Sequence, residues 1–183
     1  MADVLTSLLR DLEGLERNLP ADPRVRAAVA ARARSHCEYC LLPTGGQFEI
    51  DHVIPRGHWR KYLRGDIARV QPQPGRRGPD HVNNFAWACP FCNNRKNQRL
   101  FYPASGPRIV RLFDPRYDTW GEHFFFANEY SVIWGRSPIG QATVDALAMN
   151  DLRPESLAAQ RLALILANRY PPDWARKFLV TEQ

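Results

Sequence analysis

Four cysteines in two pairs of identical spacing constrain this chain more than any other feature of its sequence. The pairs are Cys37 and Cys40 in "CEYC" and Cys89 and Cys92 in "CPFC", with 48 residues between them. A CxxC turn directs two sulfurs to one point, and two such turns supply the four thiolates of a tetrahedral zinc site. Because four protein ligands leave no coordination position for a substrate, the predicted zinc is structural.

Disulfide bonds and a redox-active pair are the alternatives to zinc. The cytosol keeps thiols reduced, and a redox CxxC occurs once, beside a βαβ pattern that this sequence lacks. The N-terminal residues lack the continuous apolar core of a signal peptide, and no apolar run approaches the roughly 18 residues that span a bilayer. We therefore expect a cytoplasmic protein that does not associate with membranes.

The positive charge of the chain is concentrated in its middle third. Residues 52–111 contain 12 Arg or Lys against 2 Asp or Glu, whereas residues 1–51 contain 6 against 8 and residues 112–183 contain 7 against 9. Such clustering predicts nucleic acid as a partner, since phosphate attraction supplies affinity that does not depend on base sequence. A solvated basic surface without a partner is the alternative.

Two further polar groups adjoin the cysteine pairs. Asp51 and His52 lie side by side in the apolar segment "FEIDHVIP", which is typical of a strand and is closed by Pro55, and Asn93 follows Cys92 directly. A zinc ion bound by both pairs would draw these segments together. Because neighbours on a strand face opposite ways, Asp51 and His52 can share one site only if the strand twists or ends there, near Pro55.

The motifs "IDHVIP", "DHVNNF" and "CPFCNNRK" together resemble the four-cysteine type of HNH nuclease, a ββα-metal endonuclease. The resemblance covers roughly Cys37 to Arg99, about a third of the chain. The later segments "VRLFDPRYDTWGEHF" and "SPIGQATVDALAMN" are similar to segments that follow the nuclease core in bacterial HNH proteins. The family's last histidine is replaced here by Asn93, which keeps an oxygen ligand.

The resemblance implies a role for each matching residue. His52 lies where the family has its general base, and Asp51 and Asn93 lie where it binds one divalent cation, Mg²⁺ or Mn²⁺. Asn84 matches the asparagine that braces the loop and orients the histidine, with a purely structural turn as the alternative. The implied activity is metal-dependent hydrolysis of phosphodiester bonds, with DNA as the favoured substrate and 5′-phosphate and 3′-hydroxyl ends as products.

Basic side chains near these motifs are candidates for phosphate contact, and a solvated helix or loop face is their alternative reading. They are Arg56, Arg60, Lys61, Arg76, Arg77, Arg95 and Lys96. Residues 57–79, rich in Arg, Pro and Gly, are predicted to form a basic loop or flexible finger.

The expected fold class is α+β, a zinc-stapled ββα-metal core with mainly helical extensions. Residues 1–35 form a helical arm, residues 36–101 the core and residues 102–183 a C-terminal extension. Apolar spacing predicts an amphipathic helix over residues 3–19, which covers the core or mediates dimerisation. Asp22 and Ser137 are predicted N-caps, each followed by a proline at the first helical position.

Two other functions remain open from the sequence. A zinc-stabilised module that binds nucleic acid without cleaving it would explain the cysteines and the basic middle, but not the joint occurrence of Asp51, His52 and Asn93. A nuclease subunit of a larger defence or mobile-element complex is the third reading. Dimerisation, target sequence and the choice between DNA and RNA are not determined by the sequence.

Overall fold

The computed structural model describes residues 19–180, except residues 44, 46, 68–69, 71–72, 74, 77 and 105–107. The described chain is α+β, with short helices and three two-stranded antiparallel sheets. Its α-helices are α1 (Pro23–Arg32), α2 (Trp59–Leu63), α3 (Pro90–Lys96), α4 (Trp120–His123), α5 (Pro138–Ala146) and α6 (Leu157–Leu166). Its strands are β1 (Glu49–His52), β2 (Phe85–Ala88), β3 (Phe101–Pro103), β4 (Ile109–Arg111), β5 (Phe124–Ala127) and β6 (Val132–Gly135). The predicted helix over residues 3–19 lies outside the described residues, apart from its last position.

The predicted helix starts are confirmed. Asp22 accepts a hydrogen bond from the backbone N–H of Arg24 at 2.8 Å, and Pro23 is the first residue of α1. Ser137 accepts one from Gly140 at 3.1 Å, and α5 begins at the following proline. These side chains satisfy backbone donors that have no partner within the helix.

Strands β1 and β2 and helix α3 form the unit that positions the candidate site. β1 pairs antiparallel with β2, with Asp51 opposite Ala86 and His52 opposite Phe85. All four residues of β2 are buried, as the apolar sequence before the second cysteine pair predicts. Only Cys89 separates β2 from α3, so the helix turns back over the strand pair at once.

One hydrophobic cluster joins the three regions into which the sequence divides the chain. It contains Val25 from the N-terminal arm, Phe85 from the central region and Phe124 from the C-terminal region, each completely buried. The side chain of Trp120 packs in this cluster and donates its indole N–H to the carbonyl of Tyr39 at 2.9 Å. The C-terminal region therefore contacts the first cysteine pair directly.

Residues 57–79 are less loop-like than their composition predicts. Helix α2 places Trp59 and Tyr62 on one face, because residues three apart are neighbours on a helix. Both are buried in a second hydrophobic cluster with Ile54, Ile67 and Leu100. The expectation of a flexible finger was wrong for this part of the segment, since the aromatic pair anchors it to the core.

Strands β5 and β6 pair antiparallel, with Phe124 opposite Gly135 and Ala127 opposite Val132. Within the described ranges, no helix combines the length and apolar character needed to cross a bilayer.

Candidate functional site

The four cysteines converge on one buried point. Their Sγ atoms all lie within 4.8 Å of one another, and those of Cys40 and Cys89 are 3.7 Å apart. Zinc–sulfur bonds of about 2.3 Å give a tetrahedron whose edges are about 3.8 Å. A disulfide needs sulfurs about 2.05 Å apart, and none of the four cysteines is in a disulfide. The cluster could hold a metal ion such as zinc.

Backbone hydrogen bonds shape each pair for this role. The N–H of Cys37 donates to the carbonyl of Leu42 at 2.8 Å, and the N–H of Leu41 donates back to Cys37 at 2.9 Å. In the second pair, Cys89 caps α3 by accepting a hydrogen bond from Cys92 N–H on its sulfur at 3.5 Å. These hydrogen bonds orient the sulfurs of both pairs toward one point.

The donor set suits zinc in charge as well as in position. Burial acts to raise the pKa of Cys37, but hydrogen bonds from the other three cysteines outweigh it and hold that pKa well below its usual value. Burial raises the pKa of Cys40 well above its usual value. Metal binding releases the protons of such thiols, and four buried thiolates then form a closed structural site.

Asp51 and His52 face opposite sides of β1. The carboxylate of Asp51 accepts hydrogen bonds from Tyr39 Oη at 2.5 Å and from Lys96 Nζ at 3.0 Å, and only 4% of the residue is exposed. The ring of His52 instead contacts Asp80, with its Nε2 atom 2.8 Å from Oδ1. The strand ends at His52, and the chain turns at Pro55.

A cavity of about 470 Å³ nevertheless borders both residues. It lies between β1, the turn after it and helix α3, and among its lining residues are Asp51, His52, Arg56, Asn93, Asn97 and Gln98. Residues that carry carboxylate, imidazole and carboxamide groups therefore border one open space. The structure brings together the three residues that the sequence singles out, Asp51, His52 and Asn93.

Two residues of helix α3 that are one turn apart contact two residues of β1. Asn93 donates its amide to the carboxylate of Glu49, and one turn later Lys96 donates to Asp51. In this orientation, the amide oxygen of Asn93 accepts no hydrogen bond from a described residue. That oxygen and the Asp51 carboxylate are hard donors, suited to Mg²⁺ or Mn²⁺. An ionised carboxylate has about four acceptor positions, of which Asp51 uses two, so its carboxylate keeps acceptor positions for a further ligand.

Asn84 braces the turn that follows β1. Its side chain accepts from Ile54 N–H at 2.8 Å and donates to the carbonyls of Ile54 and Pro79, both at 2.8 Å. The residue is completely buried and does not line the cavity. Its geometry is that of a brace, and it offers no ligand atom to the cavity.

Replacing Asn84 by alanine is expected to destabilise the fold by about 3 kcal/mol, because two buried hydrogen bonds and one partly buried hydrogen bond to the backbone are lost. Equilibrium unfolding in urea measures this loss. Asn83→Ala is the matched control, since Asn83 makes a single side-chain hydrogen bond, to Gly75, at an exposed site, and should cost less than about 1 kcal/mol. Equal losses for the two variants would contradict the bracing role.

Of the basic residues expected to contact phosphate, some are exposed or partly exposed and others are buried. Arg56, Arg60 and Lys61 are exposed, and Arg95 is partly exposed beside Asp151. Arg77 lies outside the described residues.

Arg76 and Lys96 differ from that expectation, because both are buried and paired. The Arg76 guanidinium donates to both oxygens of Asp114 at 2.9 Å and lies over the ring of Tyr117. Lys96, only 1% exposed, donates to Asp51 and to the carbonyl of His52 at 3.0 Å. Neither presents a free cation to a phosphate in this structure.

Two residues at the site were missed by sequence reasoning. Asp80 is one of only two acidic residues between positions 52 and 111, and that scarcity could have identified it. Burial acts to raise its pKa, but hydrogen bonds from Arg56 and His52 outweigh it and lower that pKa. Tyr39 carries no comparable signal, because a tyrosine inside a CxxC pair has no defining pattern.

The molecule thus combines a closed cluster of four thiols with a separate, open cavity of oxygen and nitrogen donors. Tyr39 and Lys96 lie between the two. Comparison of the chain with models of protein families, with curated proteins and with solved structures gives no match.

Proposed function

We propose that this chain is a metal-dependent endonuclease of the HNH type that hydrolyses phosphodiester bonds in nucleic acid, with DNA as the favoured substrate. The observation that carries the proposal is the single cavity bordered by Asp51, His52 and Asn93. β1 and α3 supply these residues and β2 pairs with β1, which is the strand–strand–helix order that the proposed ββα-metal core requires. Zinc bound by the four cysteines would stabilise this unit.

His52 is the general base in this proposal. A carboxylate only accepts hydrogen bonds, so the contact at 2.8 Å means that Nε2 carries a proton and donates it to Asp80. The other ring nitrogen, Nδ1, then holds a lone pair and takes a proton from the attacking water. Asp80 fixes the orientation of the ring and stabilises the imidazolium that forms.

The reaction balances without a further reactant. Water loses its proton to His52, the new oxygen–phosphorus bond forms, and the bond from phosphorus to the 3′ oxygen breaks. The departing 3′ oxygen takes a proton from a solvent water, and the imidazolium of His52 returns its proton to solvent. The products carry a 5′-phosphate and a 3′-hydroxyl. Asp51 and Asn93 would hold Mg²⁺ or Mn²⁺, which supplies charge neutralisation for the phosphate and the leaving oxygen.

Basic residues beside the cavity support a polyanionic substrate. Arg56 lines the cavity. Arg60 and Lys61, which follow Arg56 in the chain, are exposed. Such residues hold the phosphate backbone without reading base sequence. Binding should weaken as salt concentration rises, because phosphate contacts release counterions.

One observation favours a second candidate, a zinc-stabilised module that binds nucleic acid without cleaving it. Both oxygens of Asp51 already accept hydrogen bonds, and Lys96 neutralises its charge. An aspartate held in this way is also what a purely structural ion pair requires. The two candidates differ in whether a divalent cation binds at Asp51 and whether strands break.

The deciding experiment incubates zinc-loaded protein with supercoiled plasmid in the presence of Mg²⁺, Mn²⁺ or a Mg²⁺-free buffer. The proposal predicts nicked or linear DNA with either cation, and intact plasmid without one. Ligation of the products after denaturing purification tests for 5′-phosphate and 3′-hydroxyl ends. Retention of DNA on the protein with no strand breaks under all conditions would favour the binding module instead.

A further inference from the structure

The carboxylate of Asp51 is held at both of its oxygens. Lys96 Nζ lies 3.0 Å from Oδ1, and Tyr39 Oη lies 2.5 Å from Oδ2. All three residues are at most 4% exposed. Hydrogen bonds to a charged group strengthen in such a low-dielectric environment, so the carboxylate has one orientation and not several.

Each donor belongs to one of the cysteine pairs. Tyr39 lies between Cys37 and Cys40, and its carbonyl accepts a hydrogen bond from the Trp120 indole N–H at 2.9 Å. Lys96 lies in α3, the helix that begins at the second pair. An ion that joins the two pairs would therefore also fix the distance between the two donors of Asp51.

We propose that Tyr39 is a positioning residue, which aims the Asp51 carboxylate at the cavity and connects the cysteine cluster to the cation site. The inference rests on the proposed function in one respect, that Asp51 binds a divalent cation. Tyr39 touches neither cation nor substrate and acts through Asp51. Through its hydrogen bond to Asp51, Tyr39 would let the geometry of the cysteine cluster affect the cavity.

Partners that orient a metal ligand typically change metal affinity by about 10- to 100-fold when they are removed. Tyr39→Phe deletes one hydroxyl and leaves the ring in place. The carboxylate then keeps only the contact with Lys96, turns toward that ammonium and presents its oxygens less well to the cavity. We expect Mn²⁺ to bind this variant at least about tenfold more weakly than the natural protein.

Tyr170→Phe is the matched control. Tyr170 is 2% exposed, and its hydroxyl donates to the carbonyl of Cys40 at 2.8 Å. This variant also loses one buried tyrosine hydroxyl next to the same cysteine pair, but no contact with Asp51. It should bind Mn²⁺ within about twofold of the natural protein, which separates orientation of Asp51 from general disturbance of the cluster.

The test measures Mn²⁺ affinity without DNA, from the electron paramagnetic resonance signal of the free ion. Zinc content and urea stability are measured on the same samples, and Asp51→Asn identifies the binding that depends on Asp51. Weaker Mn²⁺ binding in Tyr39→Phe alone, at unchanged zinc content, supports the inference. Equal affinity in Tyr39→Phe and the natural protein, equal loss in both tyrosine variants, or no Asp51-dependent Mn²⁺ binding at all would overturn it.

Plasmid cleavage is scored separately, so that the two proposals can fail independently. If Tyr39→Phe loses Mn²⁺ affinity while the natural protein cuts no DNA, the positioning role stands and the nuclease proposal fails. If the natural protein cuts DNA and Tyr39→Phe retains full Mn²⁺ affinity, the nuclease proposal stands and the positioning role fails.

Discussion

His52→Ala is expected to lower the rate of DNA cleavage about 100- to 10,000-fold, the contribution typical of a general base. His52 borders the cavity, and its ring is oriented by Asp80 at 2.8 Å. Its loss should leave the fold intact, because Asp80 keeps its hydrogen bonds with Arg56 and the ring packs only edge-on against Phe85. The measurement is the single-turnover cleavage rate at saturating Mn²⁺.

His58→Ala is the matched control for that experiment. His58 lies six residues further along the chain, at the start of α2, and borders no part of the cavity described above. Its replacement should change the cleavage rate by less than about threefold, as expected for a histidine that transfers no proton. DNA affinity should be the same for both variants. A His52→Ala protein that cleaves at the natural rate would remove the imidazole from the mechanism.

Loss of the cluster ion is expected to unfold the central part of the chain. Zinc bound by four cysteines contributes about 10–16 kcal/mol of apparent binding free energy in small domains, which equals or exceeds the whole stability of many proteins. Cys92→Ser removes one buried thiolate and leaves three without a complete coordination shell. We expect this variant, and the natural protein stripped by a chelator, to lose near-ultraviolet circular dichroism and cooperative thermal unfolding.

Restoring zinc is the control for the chelator experiment, and it should return the natural protein, but not Cys92→Ser, to the folded state. The zinc content of the refolded protein should be about one ion per chain, because four thiolates complete one tetrahedral site. A chain that keeps its cooperative transition after all metal is removed would show that the cysteines pack as ordinary buried side chains.

The sequence predicts the local features of this site better than it predicts the contacts between residues that are distant in the chain. The shared CxxC spacing indicates that four sulfurs meet, and the structure brings them within 4.8 Å. Helix starts at Asp22 and Ser137 follow from capping chemistry that acts over three residues. The position of Asn93 directly after Cys92 suffices to place it beside the cavity, because the second pair opens α3.

The partners of Asp51 could not be predicted, since they depend on long-range packing. Tyr39 and Lys96 lie 12 and 45 residues from Asp51 along the chain. Strand alternation turns the Asp51 side chain toward them and the His52 ring toward Asp80, although both residues border one cavity.

Long-range packing also explains why two of the basic residues, Arg76 and Lys96, are buried. Charge density along the sequence does not show which face of the fold a side chain occupies. Arg76 finds Asp114 38 residues later, and Lys96 occupies the inner face of α3 while Arg95 stays partly exposed. Trp59 and Tyr62, by contrast, are three residues apart in the sequence, which is helical spacing. The Arg, Pro and Gly content of residues 57–79 suggests a loop and draws attention away from that spacing.

The central claim is that two ions have separate duties in this molecule, one in the thiol cluster and one in the cavity between β1 and α3. Anomalous X-ray scattering from crystals soaked in Mn²⁺ tests it most directly, with data collected above the zinc edge and again between the manganese and zinc edges. The account predicts a zinc peak among Cys37, Cys40, Cys89 and Cys92, and a manganese peak in contact with Asp51 and Asn93. The absence of a manganese peak in that cavity at saturating Mn²⁺ would contradict it.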